Sequence, residues 1–402
     1  MIKDLIKILF LFLHIFTWGC SFNSPNEKRI QEELDLKTSS TTTIDISSCK
    51  LEKYALSKLI DTLRYVPLEN SDEALIGVIR TIKVTKDLIY VLDFQNDQLK
   101  CFDKTGKFIR NACMRGGGPE EIGHLIDFDV DEEFLYVLDG AKITIHVFDH
   151  AGLYIQGNKM PFRAQKIKCL PDKNFLFELA PFANDNSENP NLVLFTNQQF
   201  EPINSFLRYI DGVFVGISFA NQANSSYLYP TCGNGIYEMR DSLFFMKYYI
   251  DFGGKYFNAD KNVNGFEKAV EQGIYFTLSA PLHNERYLLQ TYTAGMKRDG
   301  TLLIRIEDDK PLFIQSLIQD KSDLIDFSFS YTMGYDVLSD EFFGICNHLD
   351  LSNFCSDDKD NIVKKIKECM PEEVQSILLQ DDPEKDLNNI LLFYKLKNDI
   401  DF

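Results

Sequence analysis

A repeat of 46 residues restricts the fold of this chain more than any other feature of its sequence. When the sequence is shifted by 46 positions, many residues between positions 76 and 109 fall on identical residues, and the alignment needs no gap. Self-similarity at a fixed period indicates a repeat architecture. The matched residues are Ile76-Gly77 with Ile122-Gly123, Val84 with Val130, Tyr90-Val91-Leu92-Asp93 with Tyr136-Val137-Leu138-Asp139, Phe102-Asp103 with Phe148-Asp149, Gly106 with Gly152, and Ile109 with Ile155.

Each copy of the repeat has the pattern of β-strands joined by tight turns. The runs DLIYVLD and QLKCFD in the first copy, and EFLYVLD and ITIHVFD in the second, are apolar or alternate between apolar and polar residues. Gly, Asn and Asp separate these runs, as they do in hairpins. With one further strand before and one after, each copy contains four antiparallel strands. A four-stranded unit of about 40 to 55 residues is typical of a β-propeller blade.

Six apolar anchors, of which the first three are evenly spaced, predict six blades. The later copies are looser, but each keeps an apolar residue at the place expected for its third strand. The segment YVPLE at 65–69 has no strand upstream to pair with, so we expect it to form the outer strand of the last blade. This closure would remove an exposed sheet edge and tie the two ends of the ring together. The anchors are Phe102, Phe148, Phe195, Ile250, Ile306 and Phe393.

The predicted fold class is therefore all-β: a six-bladed β-propeller over residues 63–402, with four-stranded antiparallel blades and the last blade closed by the N-terminal strand. Two short helical insertions interrupt it, at residues 258–275 and 360–380, where apolar side chains recur at helical spacing. Neither insertion is long enough to form a separate domain.

The N-terminus, residues 1–19, has the pattern of a lipoprotein signal peptide. Its apolar run from Leu5 to Phe16 follows basic residues and is shorter than a spanning helix needs. Gly19 then precedes Cys20, and lipoprotein signal peptidase accepts a small residue before Cys. We expect a mature chain that begins at a lipidated Cys20 and lacks Trp, because Trp18 is the only one. An ordinary secretory signal is the alternative.

Residues 20–62 are predicted to form a flexible tether. The start of this segment is polar, rich in Ser and Thr, and without apolar periodicity. The chain has 60 acidic and 42 basic residues and a formal charge of −18, which argues against nucleic acid as a partner. The expected partners are a membrane, through the lipid on Cys20, and a glycan or protein.

Several motifs together resemble one family, the six-bladed β-propeller lipoproteins common in Bacteroidota, whose blades are similar to NHL-type repeats. The resemblance covers about residues 64–402. It implies this fold and a cell-envelope location, on the outer membrane facing the periplasm or exposed at the surface, but no activity and no catalytic residues. The family has a Gly before the Glu of its Gly-rich turn, whereas here Glu120 directly follows Pro119. The motifs are Val66-Pro67-Leu68-Glu69, Ile76-Gly77, Arg115–Glu120, Tyr249–Gly253 and Leu392–Lys397.

The Gly-rich connection from Arg115 to Glu121 is the first candidate for ligand binding. Glycines can expose backbone N–H groups that cradle an anion, and Arg115 could pair with the anion while Glu120 accepts from a sugar or an amine. No Lys-Ser or Lys-Thr follows, so this is not a P-loop. The alternative is a tight structural connection between two blades, which we favour.

Asp93 and Asp139 are candidates because they end equivalent strands. An Asp at such a position commonly hydrogen-bonds the backbone of its own turn. The same residue type in two blades therefore favours a structural role, with ligand binding as the alternative.

His124, Asp127 and Asp129 fall on the predicted inner strand of the second copy, near the ring axis. Such a cluster could hold a cation. In the first copy, however, Val78, Thr81 and Lys83 occupy the matching positions, so no ligand set repeats between blades. We expect no metal, and His124 remains a candidate for ligand binding.

No cysteine pattern or catalytic motif points to a cofactor. Eight Cys follow Cys20 without a CxxC pair, and Cys346 and Cys355 are the nearest plausible disulfide partners. The chain has no GxSxG, HExxH or dinucleotide-binding motif. These features predict a non-catalytic binding or scaffold module for a glycan, peptide or envelope protein. The alternative is a hydrolase or lyase at the mouth of the channel.

Overall fold

The computed structural model describes most of the chain that follows residue 40. Its described residues are 41–46, 52–170, 172–180, 191–208, 217–222, 225–230, 235–240, 243–255, 273–276, 281–294, 297–320, 329, 332–346, 363–364, 366–368, 370–379 and 387–402. Within them, no helix is both long enough and apolar enough to cross a membrane. The predicted signal peptide lies outside this part of the chain.

Twenty-seven strands and two short helices have both of their ends among the described residues, and residues 363–364 and 366–368 are also helical. The helices are α1 (Leu56–Leu59) and α2 (Glu372–Leu378). The strands are β1 (Thr42–Asp45), β2 (Glu52–Ala55), β3 (Ile60–Pro67), β4 (Ile79–Val84), β5 (Leu88–Asp93), β6 (Gln98–Asp103), β7 (Phe108–Asn111), β8 (Leu125–Val130), β9 (Phe134–Asp139), β10 (Thr144–Asp149), β11 (Tyr154–Lys159), β12 (Ala164–Cys169), β13 (Phe175–Leu179), β14 (Asn191–Thr196), β15 (Pro202–Arg208), β16 (Ile217–Gln222), β17 (Ser225–Pro230), β18 (Gly235–Arg240), β19 (Leu243–Asp251), β20 (Tyr275–Phe276), β21 (Leu282–His283), β22 (Tyr287–Ala294), β23 (Lys297–Arg305), β24 (Lys310–Ile318), β25 (Thr332–Asp336), β26 (Glu341–Cys346) and β27 (Ile390–Leu396).

These strands form six sheets arranged as a ring, with antiparallel pairing except at β1 and β2, so the predicted six-bladed propeller is confirmed. Blades 1 to 4 are β4–β7, β8–β11, β12–β15 and β16–β19. In blade 5 the short strands β20 and β21 both pair with β22, and β23 and β24 follow outward. Blade 6 contains β25, β26, β27 and β3. The first strands of the blades contact one another, which places them around the ring axis.

Ring closure follows the prediction. Strand β3, which contains the YVP of the YVPLE segment, pairs antiparallel with β27 near the C-terminus, with Val66 opposite Leu391. The last blade therefore takes three strands from the C-terminal part of the chain and its outer strand from the N-terminal part. Two strands from opposite ends of the chain thus provide each other's backbone hydrogen bonds, and neither leaves that edge open.

Four of the six predicted anchors lie in third strands, and two do not. Phe102, Phe148, Phe195 and Phe393 lie in β6, β10, β14 and β27. Ile250 lies in β19, the fourth strand of blade 4, and Ile306 follows the end of β23. The number of blades was predicted correctly, but the strand assignment was wrong in blade 4 because its repeat departs from the 46-residue spacing.

The prediction of a flexible tether as far as residue 62 is wrong for the described part of that segment. Strand β1 adds in parallel to the outer edge of blade 4, along β19, and β2 adds in parallel to the outer edge of blade 5, along β24. Ile44 and Ile46 are buried. The chain thus crosses the outer edges of three successive blades before it enters blade 1, because open sheet edges offer backbone hydrogen bonds to short strands.

The second helical insertion is confirmed in its described part. Helix α2 begins after Pro371, which suits the start of a helix because its missing N–H is not needed there. Val374 and Ile377 pack with Ile366 and Ile390 in one apolar cluster. The first predicted insertion, 258–275, lies almost wholly outside the described residues.

The hydrophobic core is divided into clusters that each join one blade to the next. Aromatic and branched side chains from the facing sheets interdigitate, as in stacked sheets generally. Six such clusters connect blades 1 and 2, 2 and 3, 3 and 4, 4 and 5, 5 and 6, and 6 and 1. Burial between blades therefore makes the ring rigid and fixes the positions of its connecting loops.

Candidate ligand-binding site

One face of the ring, called here the top face, carries two kinds of loop. The first kind joins the second and third strands of a blade; these turns are residues 94–97 in blade 1 and 140–143 in blade 2. The second kind connects one blade to the next; residues 112–124 connect blades 1 and 2, and residues 160–163 connect blades 2 and 3. All the candidate ligand residues from the sequence lie in these loops or at their ends.

Asp93 and Asp139 are buried and hold the backbone of the top face together. Asp139 Oδ2 accepts the Gly123 N–H at 2.7 Å, and its Oδ1 accepts the N–H groups of Ala141 and Lys142, both at 3.0 Å. Asp93 accepts the N–H of Gly77 at 3.1 Å and that of Asn96, in its own turn, at 3.3 Å. The expectation that both residues bond turn backbone is confirmed. Backbone N–H donors also lower the pKa of Asp139 against the opposing effect of burial.

Each of these aspartates interacts with a basic residue of the third strand of its blade, and the two basic residues are related by the 46-residue repeat. In blade 1 it is the buried Lys100, whose Nζ donates to the Glu73 carbonyl at 2.6 Å. In blade 2 it is His146, whose Nε2 lies 3.5 Å from Asp139 Oδ2. Burial lowers the pKa of His146, and the nearby Asp139 carboxylate only partly opposes this. The imidazole is therefore neutral at neutral pH.

The Gly-rich connection is folded by its own residues. Glu121 Oε2 accepts the Gly118 N–H at 2.7 Å, and the Gly116 N–H donates to the Ile122 carbonyl at 3.0 Å. Lys142 of blade 2 donates from Nζ to the carbonyls of Gly118 and Glu121. These contacts use the N–H groups of Gly116 and Gly118, which could otherwise cradle an anion. The structure therefore favours a tight connection between blades, and Glu120 lies exposed on its surface.

Arg115 and His124 meet at Asp97, a residue that the sequence did not single out. The Arg115 guanidinium lies 3.5 Å from Asp97 Oδ2, and His124 Nδ1 lies 3.2 Å from the same oxygen. Asp97 Oδ1 also accepts the Leu125 N–H at 2.8 Å. This cluster joins a turn of blade 1 to the start of blade 2, and it leaves the side chains of Arg115 and His124 more than half exposed on the top face.

A crevice between blades 2 and 3 opens beside this cluster. It has a cavity volume of about 310 Å³. Its walls are mostly aliphatic, and the polar side chains that reach it are those of His124, Asp139, Arg163 and Gln165. The apolar part is formed by Ile126, Leu138, Ala141, Ile143, Met160, Ala164 and Ala180, together with Gly140. The cavity thus combines an apolar interior with polar groups from two blades.

Ile143 in the wall of this crevice has an unfavourable backbone conformation. Its φ of 51° lies in the left-handed region, which a β-branched residue rarely adopts. The matching residue of blade 1, Asp97, has a φ of 56°, and Asp tolerates this region better. Strain of this kind costs about 1 to 3 kcal/mol. The turn geometry is therefore shared between blades, while an apolar side chain at this strained position helps to form the cavity.

A second group of polar side chains, the axial ion network, lies on the first strands of blades 1 to 3. It contains Lys83 of β4, Asp127 and Asp129 of β8, and Lys168 of β12. Lys168 Nζ lies 2.7 Å from Asp129 Oδ2, and Lys83 Nζ lies 2.9 Å from Asp129 Oδ1. The Cys169 N–H also donates to Asp129 at 2.7 Å, and the Ile167 N–H donates to Asp127 at 3.0 Å. The network links the inner strands of three blades.

The charges of the axial ion network shift one another's pKa values. Burial alone would raise the pKa of Asp129, but Lys168 and Lys83 outweigh it and hold that pKa at about 2. Burial lowers the pKa of Lys168 to about 8, although Asp129 opposes this. Burial also raises the pKa of Asp127, with Lys83 opposing. Asp129 is therefore a carboxylate at neutral pH, with a cation on each side.

The structure brings some of the predicted site residues together and separates others. Arg115 and His124 share Asp97, and His124 and Asp139 both line the crevice. Asp93 belongs to the equivalent turn of blade 1. Glu120 and Glu121 remain in the Gly-rich connection. His124 is separated from Asp127 and Asp129, which contact the inner strand of blade 3 instead.

Sequence reasoning missed Asp97, Arg163, Gln165 and Lys168. Asp97 could have been found, because it aligns with Ile143 in the 46-residue repeat and precedes the third strand. The other three lie at the start of blade 3, where the repeat no longer has a fixed spacing. Among the described residues, no group of three or more His, Cys, Asp or Glu side chains is placed to hold a metal ion. The described cysteines Cys101, Cys113 and Cys169 are free thiols, and Cys355, the predicted partner of Cys346, lies outside the described residues.

Comparisons with known proteins agree with the fold. The family described as "Domain of unknown function (DUF4934)" matches residues 41–395. A solved protein of Bacteroides fragilis, described as a candidate exported protein, is 18% identical and has a TM-score of 0.65; the match covers 89% of this chain and all of that one. A gluconolactonase of Xanthomonas campestris is 10% identical with a TM-score of 0.43, over 74% of this chain and 92% of its own. Virginiamycin B lyase of Staphylococcus aureus is 10% identical with a TM-score of 0.40, over 70% and 81%. No curated protein matches.

Proposed function

The chain belongs to the DUF4934 family, whose description assigns no activity, and we propose from its geometry that it is a non-catalytic binding module of the cell envelope. The observation that carries the proposal is the crevice between blades 2 and 3, an apolar cavity of about 310 Å³ that opens among loops on the top face. Concave apolar cavities with a few polar groups are the usual form of ligand sites in proteins. Loops on a rigid ring are well suited to binding.

The walls of the crevice favour a peptide or protein ligand over a glycan. Sites for small ligands range from roughly 300 to 1,000 Å³, so this cavity is near the lower limit and can hold one compact group. Among the described residues, no Phe, Tyr or Trp side chain lines it, whereas a sugar would need hydrogen bonds on every edge of its ring. An aliphatic or aromatic side chain of a partner would instead bury its apolar surface against Ile126, Leu138 and Met160.

The alternative, a hydrolase or lyase at the channel, would require polar groups that are available to a substrate. Carboxylates and lysines from three blades do meet on the inner strands. In this network, however, Asp129 already accepts hydrogen bonds from Lys168 and the Cys169 N–H and pairs with Lys83. Structural ion pairs perturb pKa values just as catalytic sites do. We therefore assign the axial ion network to holding blades 1 to 3 together.

Binding in the crevice can be tested by calorimetric titration with toluene, a compact neutral apolar compound. We expect saturable binding to the full chain and its loss in Ala180→Leu, which places extra carbons in the cavity. Ala151→Leu is the matched control, because Ala151 lies exposed in a turn on the opposite face. Equal binding by wild type and Ala180→Leu, or no binding by wild type, would refute the proposal.

The envelope location rests on the signal pattern and on Cys20. We propose that lipid on Cys20 attaches the protein to the outer membrane. Covalent acyl chains add about 0.8 kcal/mol of membrane affinity per buried methylene, whereas a body of charge −18 is repelled by anionic lipid. Cys20→Ala should therefore move the exported protein from the membrane to the soluble fraction, and Cys113→Ala should not. Retention of Cys20→Ala after a carbonate wash would show that another anchor exists.

A further inference from the structure

Resting on the proposed function of the crevice, we propose that protonation of His146 opens one wall of the crevice in mild acid. This blade 2 wall consists of the turn 140–143 and of His124, just before β8, and both parts line the cavity. Asp139 joins them, because its carboxylate accepts backbone N–H groups from both. The imidazole of His146, on β10, faces that carboxylate, so a charge on His146 acts on the wall through Asp139.

The imidazole of His146 is buried without a hydrogen bond. Its side chain is 2% exposed, and neither ring nitrogen has a hydrogen-bonding partner among the described residues. Nε2 lies 3.5 Å from Asp139 Oδ2, whereas a normal hydrogen bond is about 2.7 to 3.2 Å long. The Tyr154 ring packs against the imidazole, with the ring centroids 6.0 Å apart. A neutral ring fits these surroundings, but a protonated ring would bury a charge and two N–H donors that lack acceptors.

The charged groups around His146 do not offset this cost. Burial has the largest effect on the pKa of His146 and lowers it. The Asp139 carboxylate opposes this shift, whereas Lys142 of the turn and Lys159 of β11 add to it. Cys113, in the connection from blade 1, is close enough to Asp139 to feel its charge, but the thiol is uncharged because burial raises its pKa to about 12.

Blade 1 shows what a buried cation needs at this position. Lys100 occupies the place of His146 in the 46-residue repeat, and its Nζ donates to the Glu73 carbonyl at 2.6 Å. The Lys100 ammonium also lies 5.6 Å from the centroid of the Phe108 ring. The cation of blade 1 thus has a backbone acceptor of its own, whereas a protonated His146 would depend on Asp139.

Both oxygens of Asp139 are already in use. Oδ2 accepts the Gly123 N–H at 2.7 Å, and Oδ1 accepts the N–H groups of His124, Ala141 and Lys142. A protonated imidazole that donates to Oδ2 competes with the Gly123 N–H. One that does not donate remains a buried cation without an acceptor, which is costly. In either case the closed wall becomes less stable when the ring is protonated.

The pH dependence therefore has a defined direction. In the open wall His146 meets water and takes the usual histidine pKa of about 6.5, whereas burial lowers its pKa in the closed wall. The open wall binds a proton first as the pH falls, so the closed wall loses stability from about pH 6.5 downward until the pH reaches the lower pKa. From pH 7 to pH 5 the population of the open wall increases by at most about 25-fold, a limit set by the usual pKa.

Hydrogen exchange of the full chain at pH 7 and pH 5, corrected for the intrinsic effect of pH on exchange, measures this opening. We expect the amides that Asp139 holds to lose about tenfold of their protection at pH 5. The amides that Asp93 holds in blade 1 should keep theirs, because Lys100 remains protonated throughout this range. Equal loss in both blades would be a general effect of acid and would overturn the proposal.

Two variants identify the titrating group. His146→Gln removes the ring and should make the protection of the amides that Asp139 holds independent of pH from 7 to 5. His124→Gln is the control, because His124 is the exposed histidine of the same wall and pairs with Asp97; this variant should retain the pH dependence. A pH dependence that persists in His146→Gln, or disappears in His124→Gln, would show that His146 is not the switch.

Toluene separates this inference from the proposed function. Because a ligand of the crevice binds only the closed wall, saturating toluene should raise the protection of the amides that Asp139 holds at both pH values. Bound toluene without this added protection, or exchange that is independent of pH while toluene binds, would overturn the role of His146 and leave the crevice intact. No binding of toluene by wild type would overturn the crevice itself as a binding site.

Discussion

Asp129 shows how a single buried residue can connect three blades. It lies between Lys168 and Lys83 and is almost completely buried, with 1% of its side chain exposed. Removing one partner of a buried ion pair leaves an uncompensated charge, which costs about 3 to 5 kcal/mol. Asp129→Asn should therefore lower the free energy of unfolding by about 3 kcal/mol, as measured by urea denaturation.

Asp127→Asn provides the matched control, two residues away on the same strand. Asp127 accepts the Ile167 N–H at 3.0 Å, and the side-chain carbonyl of Asn can accept the same bond. Burial also raises the pKa of Asp127, so loss of its charge costs less than loss of the Asp129 charge. We expect a change below about 1 kcal/mol. Equal destabilisation by the two substitutions would contradict the role assigned to Asp129.

The same aspartate predicts a pH dependence of stability. Lys168 and Lys83 hold its folded pKa at about 2, whereas an unfolded Asp has a pKa of about 3.9. The unfolded chain therefore binds a proton first as the pH falls, and stability is lost between about pH 5 and pH 2. The free-energy difference between wild type and Asp129→Asn should shrink by about 2 kcal/mol over this range. A constant difference from pH 7 to pH 3 would refute this assignment.

The repeat made some of these residue roles predictable. Asp93 and Asp139 lie 46 positions apart at the ends of equivalent strands, so a shared structural role could be inferred before any contact was known. Lys168 could not be inferred in the same way. It occupies the same place on β12 as Asp129 on β8. Only 39 positions separate the two residues, however, because the connection from blade 2 to blade 3 is shorter than the one from blade 1 to blade 2. Ion pairs between blades depend on that spacing.

At the scale of elements, hairpin strands could be predicted and added edge strands could not. A hairpin can be recognised in a sequence as two apolar or alternating runs of residues on either side of a turn, as in β5 and β6. Strands β1 and β2 have four residues each, no hairpin partner, and a sequence rich in Thr and charged residues. Each is held as a strand by the edge of a distant blade. The local sequence contains no signal of that edge.

Strand β1 should contribute measurably to stability. Ile44 is 2% exposed and packs in the cluster between blades 4 and 5, whereas Thr43 is exposed. Truncating a buried Ile to Ala costs about 2 to 5 kcal/mol, and we expect about 2 kcal/mol at this edge strand. Ile44→Ala should therefore lower the melting temperature, while Thr43→Ala should leave it nearly unchanged. Identical melting curves would mean that β1 does not pack as described.

At the scale of the whole molecule, the candidate site depends on ring geometry. The crevice forms where two neighbouring sheets diverge at the top face, and its lining comes from residues 124–143 and 160–180. His124 and Asp139 were candidates from the sequence, but their place in a crevice between two blades was not predicted. The repeat could not predict that Arg163 and Gln165 would face them, because this depends on the angle between two blades. That angle is fixed by the apolar cluster between blades 2 and 3.

The closure of the ring gives the last prediction. Strand β3 supplies the outer strand of blade 6, and its Val66 belongs to the cluster that joins blade 6 to blade 1. Deleting Ile60–Pro67 would expose the edge of β27 and remove that contact, so the ring would lose its link between the two chain ends. Deleting Thr42–Ile46 removes only an added strand from an already complete blade. By calorimetry we expect the second deletion to unfold cooperatively at a reduced temperature and the first to show no cooperative transition. If the two deletions had the same melting temperature, β3 would be an accessory strand and the ring would have to close without it.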